Sequence, residues 1–511
     1  MKHIKKLASL LLALVMVFAL ATTAFAEETT YSITINNSTA GHTYEAYQIF
    51  TGDLSGTTLS NIKWGSSVSN AASLSDAATV AEKLDTNYTG TDKMTVADLL
   101  EMITLGTPAA DSGETSNPYV ISGLAAGYYL VKDKDGSLTG DNDSYTEYIV
   151  KVVGNVTATP KSSVPTVEKK VADTNDSTGV TSGWQDSADY DIGDSVPFQL
   201  KATLADNVSS YTTYKVVFHD TLSKGLTYNN DAKVHIDGTE TNGFTVTATV
   251  NADGITTLTV SCDDVKALGA GNSSVITVEY TAKLNENAVL GSAGNPNEVY
   301  LEYSNNPNKS EEGNNETGET PKDVVIVFTY KTIINKVDSE NRPLTGAAFK
   351  LEKLIKGKDG AADTWTTVKE FAVDETTTSF TFSGLDDGQY KLTETKTPAG
   401  YNTIDPIYFV IEATHDETAD APTLKTLNAY LTDANGNKQT EMKGGESVNI
   451  NLGTVDLTAG SITTTVVNKS GSELPSTGGI GTTIFYVLGG VLVLAAVVLL
   501  VTKKRMSGAE K

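Results

Sequence analysis

The sequence predicts a mainly β chain, a tandem array of β-sandwich domains set between two apolar ends. Three observations predict it. Polar and apolar residues alternate at period two along much of the chain, as in Ser32-Ile33-Thr34-Ile35, Phe244 to Val250 and Ser379-Phe380-Thr381-Phe382. Such alternation puts every second side chain on one face of a strand. The intervening stretches are rich in Gly, Asn, Ser and Thr, residues that favour turns. At 511 residues the chain is too long for one core, and about three or four domains are expected. The helical patterns are few; Ala77 to Leu84 and Val96 to Ile103 are the best of them, both in the first third.

The N-terminal end reads as a secretory signal over residues 1–26. Lys2, Lys5 and Lys6 precede an apolar run from Leu7 to Leu20, and Ala24-Phe25-Ala26 supplies small residues around a cleavage position. The C-terminal end, residues 471–511, holds Leu474-Pro475-Ser476-Thr477-Gly478, an apolar stretch from Ile484 to Val501, and then Lys503, Lys504 and Arg505. The stretch is just long enough to span a bilayer as a helix. Basic residues after it favour a cytoplasmic tail. Pro475 holds Leu474 extended, the form in which a protease-like active site binds a peptide.

Charge and composition narrow the function. Lys and Arg number 38 against 63 Asp and Glu, a net of −25. Removing the signal and everything after Thr477 takes away seven basic residues and one acidic residue, leaving −31. So acidic an ectodomain excludes nucleic acid as a partner. Cys262 is the one cysteine and the histidines are five. No intramolecular disulfide is possible, and a Cys/His zinc site or a histidine-based triad is not expected. No metal or other cofactor is expected. The acidic stretch Asp133-Lys134-Asp135-Gly136, with Asp141 and Asp143, has Ser144 in the twelfth position where a calcium loop of the EF-hand type needs Glu. It reads as an acidic turn. Cys262 reads as a small buried hydrophobe.

Composition also sets the boundaries. Residues 154–166 carry two prolines and read as an extended linker, and residues 304–322 read as a long loop. Domains are placed at 27–160, 161–329 and 330–470.

The pentapeptide, apolar span and basic tail, in that order behind a secretory signal, resemble the LPxTG cell-wall sorting signal of Gram-positive surface proteins. The resemblance implies cleavage of the Thr477–Gly478 bond by a membrane transpeptidase, sortase, with an acyl-enzyme held on the Thr477 carbonyl. A second resemblance lies further upstream. Ile334-Asn335-Lys336-Val337-Asp338, Pro343 to Leu351, Tyr390-Lys391-Leu392-Thr393-Glu394-Thr395 and Pro398-Ala399-Gly400-Tyr401 look like a CnaB-type immunoglobulin-like domain, the Glu segment resembling the E-box of Gram-positive pilins. That family implies a spontaneous Lys–Asn isopeptide bond inside the domain. The carry-over is Lys336, Glu394 and Asn468. Residue chemistry agrees. Period-two counting puts Ile334, Lys336 and Asp338 on one face, and Tyr390, Leu392 and Glu394 on another. A buried lysine loses its charge and becomes a nucleophile, and a buried carboxyl favours the protonated form that can donate to an amide carbonyl.

The middle domain repeats the pattern, with Lys169, Asp220 and Asn297 as the Cna-type set. Lys169 shares a strand face with Val167 and Val171, and Asp220 with Val216 and Phe218; Asn297 to Asn305 resembles the acceptor strand of pilin middle domains. Lys170 is the rival, set aside by alternation. No such trio stands out in the first domain. Val150 to Lys161 occupies the place of the pilin motif that ends in Pro-Lys, departing from it at Thr159, where the family has Tyr. Lys161 is then the linking lysine.

The sequence is thus identified as similar to the sortase-assembled major pilins: a shaft subunit whose Thr477 carbonyl is joined to Lys161 of the next copy. The resemblance implies no enzymatic turnover. Its partners would be pilin-class and housekeeping sortases, identical subunits, tip and base pilins, peptidoglycan and a host surface ligand. The location is the cell wall and the extracellular space. The alternative is a monomeric wall-anchored adhesin for a host matrix protein or glycan, which has no use for Lys161.

Overall fold

The computed structural model describes residues 29–37, 40–85, 88–114, 118–138, 143–159, 163–310, 315–358, 360–439 and 452–471. The signal, Lys161 and the segment from Leu474 to the C-terminus, with its apolar span, lie outside the described residues. Among those described, no helix is long and apolar enough to cross a membrane.

The strands fall into three successive pairs of sheets. The first pair sets a three-stranded sheet (Tyr119–Leu124, Tyr31–Ile35, Val156–Ala158) against a larger one centred on Tyr44–Ser55 and Gly127–Asp133. Every residue of Gly127–Asp133 is buried, because that strand is covered on both faces. Tyr129 and Val131 pack with Ile33, Ile35 and Ile121. Tyr128 and Leu130 pack under the helices, with Val80 and Leu99. Those helices, Ala77–Lys83 and Val96–Met102, occupy the stretches the sequence marks. Asp76 caps the first, and Thr95 with Asp98 forms a reciprocal capping box on the second, satisfying backbone N–H groups that would otherwise be orphaned.

The second pair has seven strands in each sheet, and the third has four and five. Their cores are aromatic and β-branched, with Phe198, Phe218 and Tyr214 in one and Phe349, Phe380, Phe382 and Phe409 in the other. Each such side chain buried contributes about 1.5–3 kcal/mol.

Two connections differ from the sequence reading. Within 154–166, Val156–Ala158 is a strand parallel to Tyr31–Ile35, and Thr166 opens the strand Thr166–Asn175. Val156 and Ala158 point into the core, a short alternation hidden by the flanking Thr and Pro. Within 304–322, Thr317–Glu319 pairs with Asn295–Ser304. Cys262 is buried.

The second and third sandwiches meet through a hydrogen-bonded junction. The Lys353 side chain is 2% exposed, and its Nζ lies 2.6 Å from Asp191, 2.8 Å from Asp386 and 3.2 Å from Asp176. Burial works against its charge, yet Tyr390 and the three carboxylates outweigh it and raise the ammonium above the ordinary lysine value. The Ser187 hydroxyl meets His415 Nδ1 at 2.7 Å, and Asn175 Nδ2 donates to Asp387 at 2.6 Å. Gly291 and Gly460 pack backbone on backbone, both at positive φ; a Cβ on Gly291 would stand 2.4 Å from the Gly460 nitrogen.

Candidate functional site

In the third sandwich, Lys336 lies on Tyr330–Asp338 and Asn468 on Ser461–Asn468, and these two strands run side by side in parallel. Lys336 is in register with Val466, so Asn468 sits two residues further along, on the same face. Glu394 comes from the opposite sheet, on Gly388–Lys396. Lys336 and Asn468 are 0% exposed and Glu394 5%. Asn468 Nδ2 donates to both Glu394 oxygens, at 2.9 and 3.0 Å, and to the Asn402 carbonyl at 3.1 Å. Lys336 Nζ donates to the Val466 and Val337 carbonyls at 3.0 and 3.2 Å. Burial pushes its pKa down to about 8, against the pull of Glu394. A fraction of neutral amine at neutral pH follows, which is the nucleophilic form.

The second sandwich holds Lys169 on Thr166–Asn175, Asp220 on Val216–Leu222 and Asn297 on Asn295–Ser304. Lys169 belongs to one sheet; Asp220 and Asn297 belong to the facing one. All three are 0% exposed. Lys169 Nζ lies 2.6 Å from Asp220 Oδ1, over the rings of Phe198 and Tyr280. Burial pushes the lysine down and the aspartate up, each opposed by the charge of the other. Lys170 points the other way, to Asp186 near the surface.

Sequence reasoning missed Tyr280. Its hydroxyl donates to Asp220 Oδ2 and accepts from Asn297 Nδ2 at 2.7 Å, and Lys169 Nζ donates to it at 3.2 Å. On Val275–Leu284 it alternates with Ile276, Val278, Ala282 and Leu284, so by pattern it is one more core residue. In both sandwiches the asparagine Oδ1 is buried with no hydrogen-bond partner, an arrangement that costs about 1–3 kcal/mol for each orphan.

The first sandwich has a different buried polar pair. His42 Nδ1 lies 2.7 Å from Asp133 Oδ1, while Asp133 Oδ2 accepts from the Thr146 N–H and hydroxyl. This ties residue 42 to the turn after 143. The acidic stretch at 133 therefore puts its first carboxylate to structural use.

Comparison with known proteins gives these sites a setting. Residues 192–307 match the family described as Gram-positive pilin backbone subunit 2, Cna-B-like domain. Residues 331–425 match SpaA, a prealbumin-like fold domain, and residues 466–507 match the LPXTG cell wall anchor motif. A curated relative, the trypsin-resistant surface T6 protein of Streptococcus pyogenes serotype M6, is 26% identical over 94% of this chain and 96% of its own. The solved T6 backbone pilin of serotype M6 S. pyogenes, 18% identical, superposes with a TM-score of 0.52 over 88% of this chain and 100% of that one, and so shares the fold. The full-length major pilin SpaD from Corynebacterium diphtheriae is also 18% identical, with a TM-score of 0.44 over 88% and 99%. A pilin-backbone domain, a prealbumin-like domain and a wall anchor follow one another along a chain that aligns with a surface protein over nearly its whole length. The chain is a backbone subunit of the sortase-assembled Gram-positive pilins, a structural component of a pilus shaft anchored in the cell wall and extending outside the cell.

Proposed function

We propose that this subunit is joined to its neighbours and closed on itself by the same kind of bond. A pilin-class sortase cuts Thr477–Gly478 and passes the Thr477 acyl group to Lys161 of the next copy. A housekeeping sortase finally passes the last subunit to peptidoglycan. Tip and base pilins and a host surface ligand complete the set of partners. Within the subunit, Lys169 bonds to Asn297 with Asp220 assisting, and Lys336 to Asn468 with Glu394 assisting, each a single turnover that releases ammonia. The observation that carries the reading is the pair of sets, each a lysine, a carboxyl and an asparagine, buried in apolar cores. Lysine is almost never fully buried without a reason of this kind. The contrast with Lys353 is instructive. That lysine is also buried, but three carboxylates hold it as an ammonium, so it serves as a charged clamp.

The test is an immunoblot of wall extracts boiled in detergent, wild type against Lys161→Ala. A high-mass ladder that collapses to monomer in the variant is the expected result. A ladder that survives places the joint on another lysine. A monomer band in both leaves a wall-anchored adhesin.

A further inference from the structure

The two buried sets are wired differently. In the third sandwich the carboxyl touches the asparagine: Glu394 accepts from Asn468 Nδ2 with both oxygens, and Lys336 Nζ is bound to backbone carbonyls. In the second sandwich the carboxyl touches the lysine, with Asp220 Oδ1 2.6 Å from Lys169 Nζ. Between Asp220 and Asn297 stands a tyrosine hydroxyl, bonded to both. Aspartate is one methylene shorter than glutamate, and here the missing reach is filled by Tyr280. The ring is fixed by stacking on Phe198, with centroids 5.4 Å apart, and by an edge contact with Tyr228. Tyr280 is 3% exposed and the other three residues are 0%. Solvent is thus shut out, and protons must move between protein groups.

We infer that Tyr280 is a catalytic proton relay in the second domain, carrying a proton from Asp220 to the leaving nitrogen of Asn297. The inference rests on the Lys169–Asn297 bond proposed above. The lone pair of neutral Lys169 Nζ attacks Asn297 Cγ, and an Nζ–Cγ bond forms. In the tetrahedral intermediate Nδ2 ceases to be an amide nitrogen and gains a basic lone pair. The Tyr280 hydroxyl hydrogen turns from Asp220 Oδ2 toward the new lone pair on Nδ2; the protonated Oδ2 then gives its proton to the Tyr280 oxygen while Tyr280 gives its own to Nδ2. The Cγ–Nδ2 bond breaks, the carbonyl re-forms and ammonia leaves. The proton lost by Nζ returns to Asp220 at Oδ1, the oxygen that faces the lysine. Asp220 ends as it began, protonated, and so does Tyr280. One carboxyl thus serves nucleophile and leaving group through different oxygens, and the hydroxyl spans the second gap. Glu394 needs no such span.

The experiment uses the full chain, purified in detergent, with intact mass and peptide mapping read against time after synthesis. Each bond removes one ammonia, so mass counts bonds and mapping locates them. Wild type should lose two. Tyr280→Phe keeps the ring and removes the hydroxyl. It should form the Lys336–Asn468 bond normally and the Lys169–Asn297 bond at least ~10²-fold more slowly, the usual scale of general acid–base assistance. The double variant Tyr280→Phe with Asp220→Glu exchanges the lost oxygen for an added methylene and lets the carboxyl reach Asn297 directly, as Glu394 reaches Asn468. It should recover the bond, which a merely packing role for the hydroxyl would not predict, and it serves as the test should the single variant fold poorly. Bond formation in Tyr280→Phe at the wild-type rate overturns the relay and leaves the proposed function standing. A folded double variant that stays unlinked also overturns it. Wild type with no linked Lys169–Asn297 peptide overturns the reading beneath it.

Discussion

Lys336 and Asn468 stand on the first and last strands of the third sandwich, two register positions apart on neighbouring parallel strands, and neither touches solvent. Few placements bring chain segments so distant in sequence within reach of one side chain. A covalent closure there spans nearly the whole domain. The proposed cross-link would remove loop entropy from the unfolded chain, about 4–5 kcal/mol for a loop of ~100 residues.

Glu394 is the group to remove first. Glu394→Ala should leave the third domain folded, because the surrounding core of Phe349, Phe380 and Phe409 is untouched. Its mass should exceed by one ammonia the mass calculated for the variant with both bonds formed, and its Tm should be lower than wild type by about 10–20 °C on the usual scaling of stability to melting temperature. Mass spectrometry and calorimetry on the same sample check both. An unchanged Tm would remove Glu394 from the bond-forming role.

Lys353→Met should uncouple the second and third sandwiches without unfolding either. The substitution leaves Asp386, itself 1% exposed, facing Asp191 and Asp176 with no cation. Removing one partner of a buried ion pair costs about 3–5 kcal/mol. Calorimetry should show two separated transitions where wild type shows one for this pair, and limited proteolysis should open the segment between residues 170 and 194. A single unshifted transition would mean the backbone bonds suffice.

The same junction should weaken as pH rises. Burial and Asp189 push Asp173 up to about 8; burial, with neighbouring aspartates, pushes Asp194 and Asp387 up to about 6. In the unfolded chain these groups ionise near ~4. The folded state therefore binds more protons between about pH 4 and pH 8, and stability falls across that window. His415 acts in the same direction. Burial opposes its charge, but Asp189 and Asp173 raise its pKa, so its contribution is lost as pH climbs through that raised value. Thermal melts of the full chain should be higher near pH ~5 than near pH ~8. A flat or rising profile would show that other groups dominate.

The sandwiches were legible in the sequence because alternation is a local signal. Asp220 stood out as an acid among Val216 and Phe218, and alternation separated Lys169 from Lys170, which the structure turns to Asp186. Tyr280 was not legible. A tyrosine in the series Ile276, Val278, Tyr280, Ala282 has the pattern of packing, and only the fold shows what its hydroxyl meets. The junction was hidden for another reason. Its carboxylates come from residues 173–194 and 386–387, and its cation from residue 353, so no local window contains the cluster. Val156–Ala158 was lost among linker residues because three residues carry too little periodicity to register.

Each sandwich contains a parallel pairing between an early strand and a late one: Tyr31–Ile35 with Val156–Ala158, Ser187–Asp189 with Asp323–Phe328, and Tyr330–Asp338 with Ser461–Asn468. In the first and third sandwiches the paired strands are also the first and last, so the chain enters at one end and leaves at the other. A pull on a fibre built from such units loads the pair in shear, so its hydrogen bonds resist together and cannot be unzipped one at a time. In the third sandwich the Lys336 and Asn468 side chains sit across that very pair. With the proposed bond between them, force arriving along the first strand would cross to the last within two residues, and the sheets beyond would carry almost none of it.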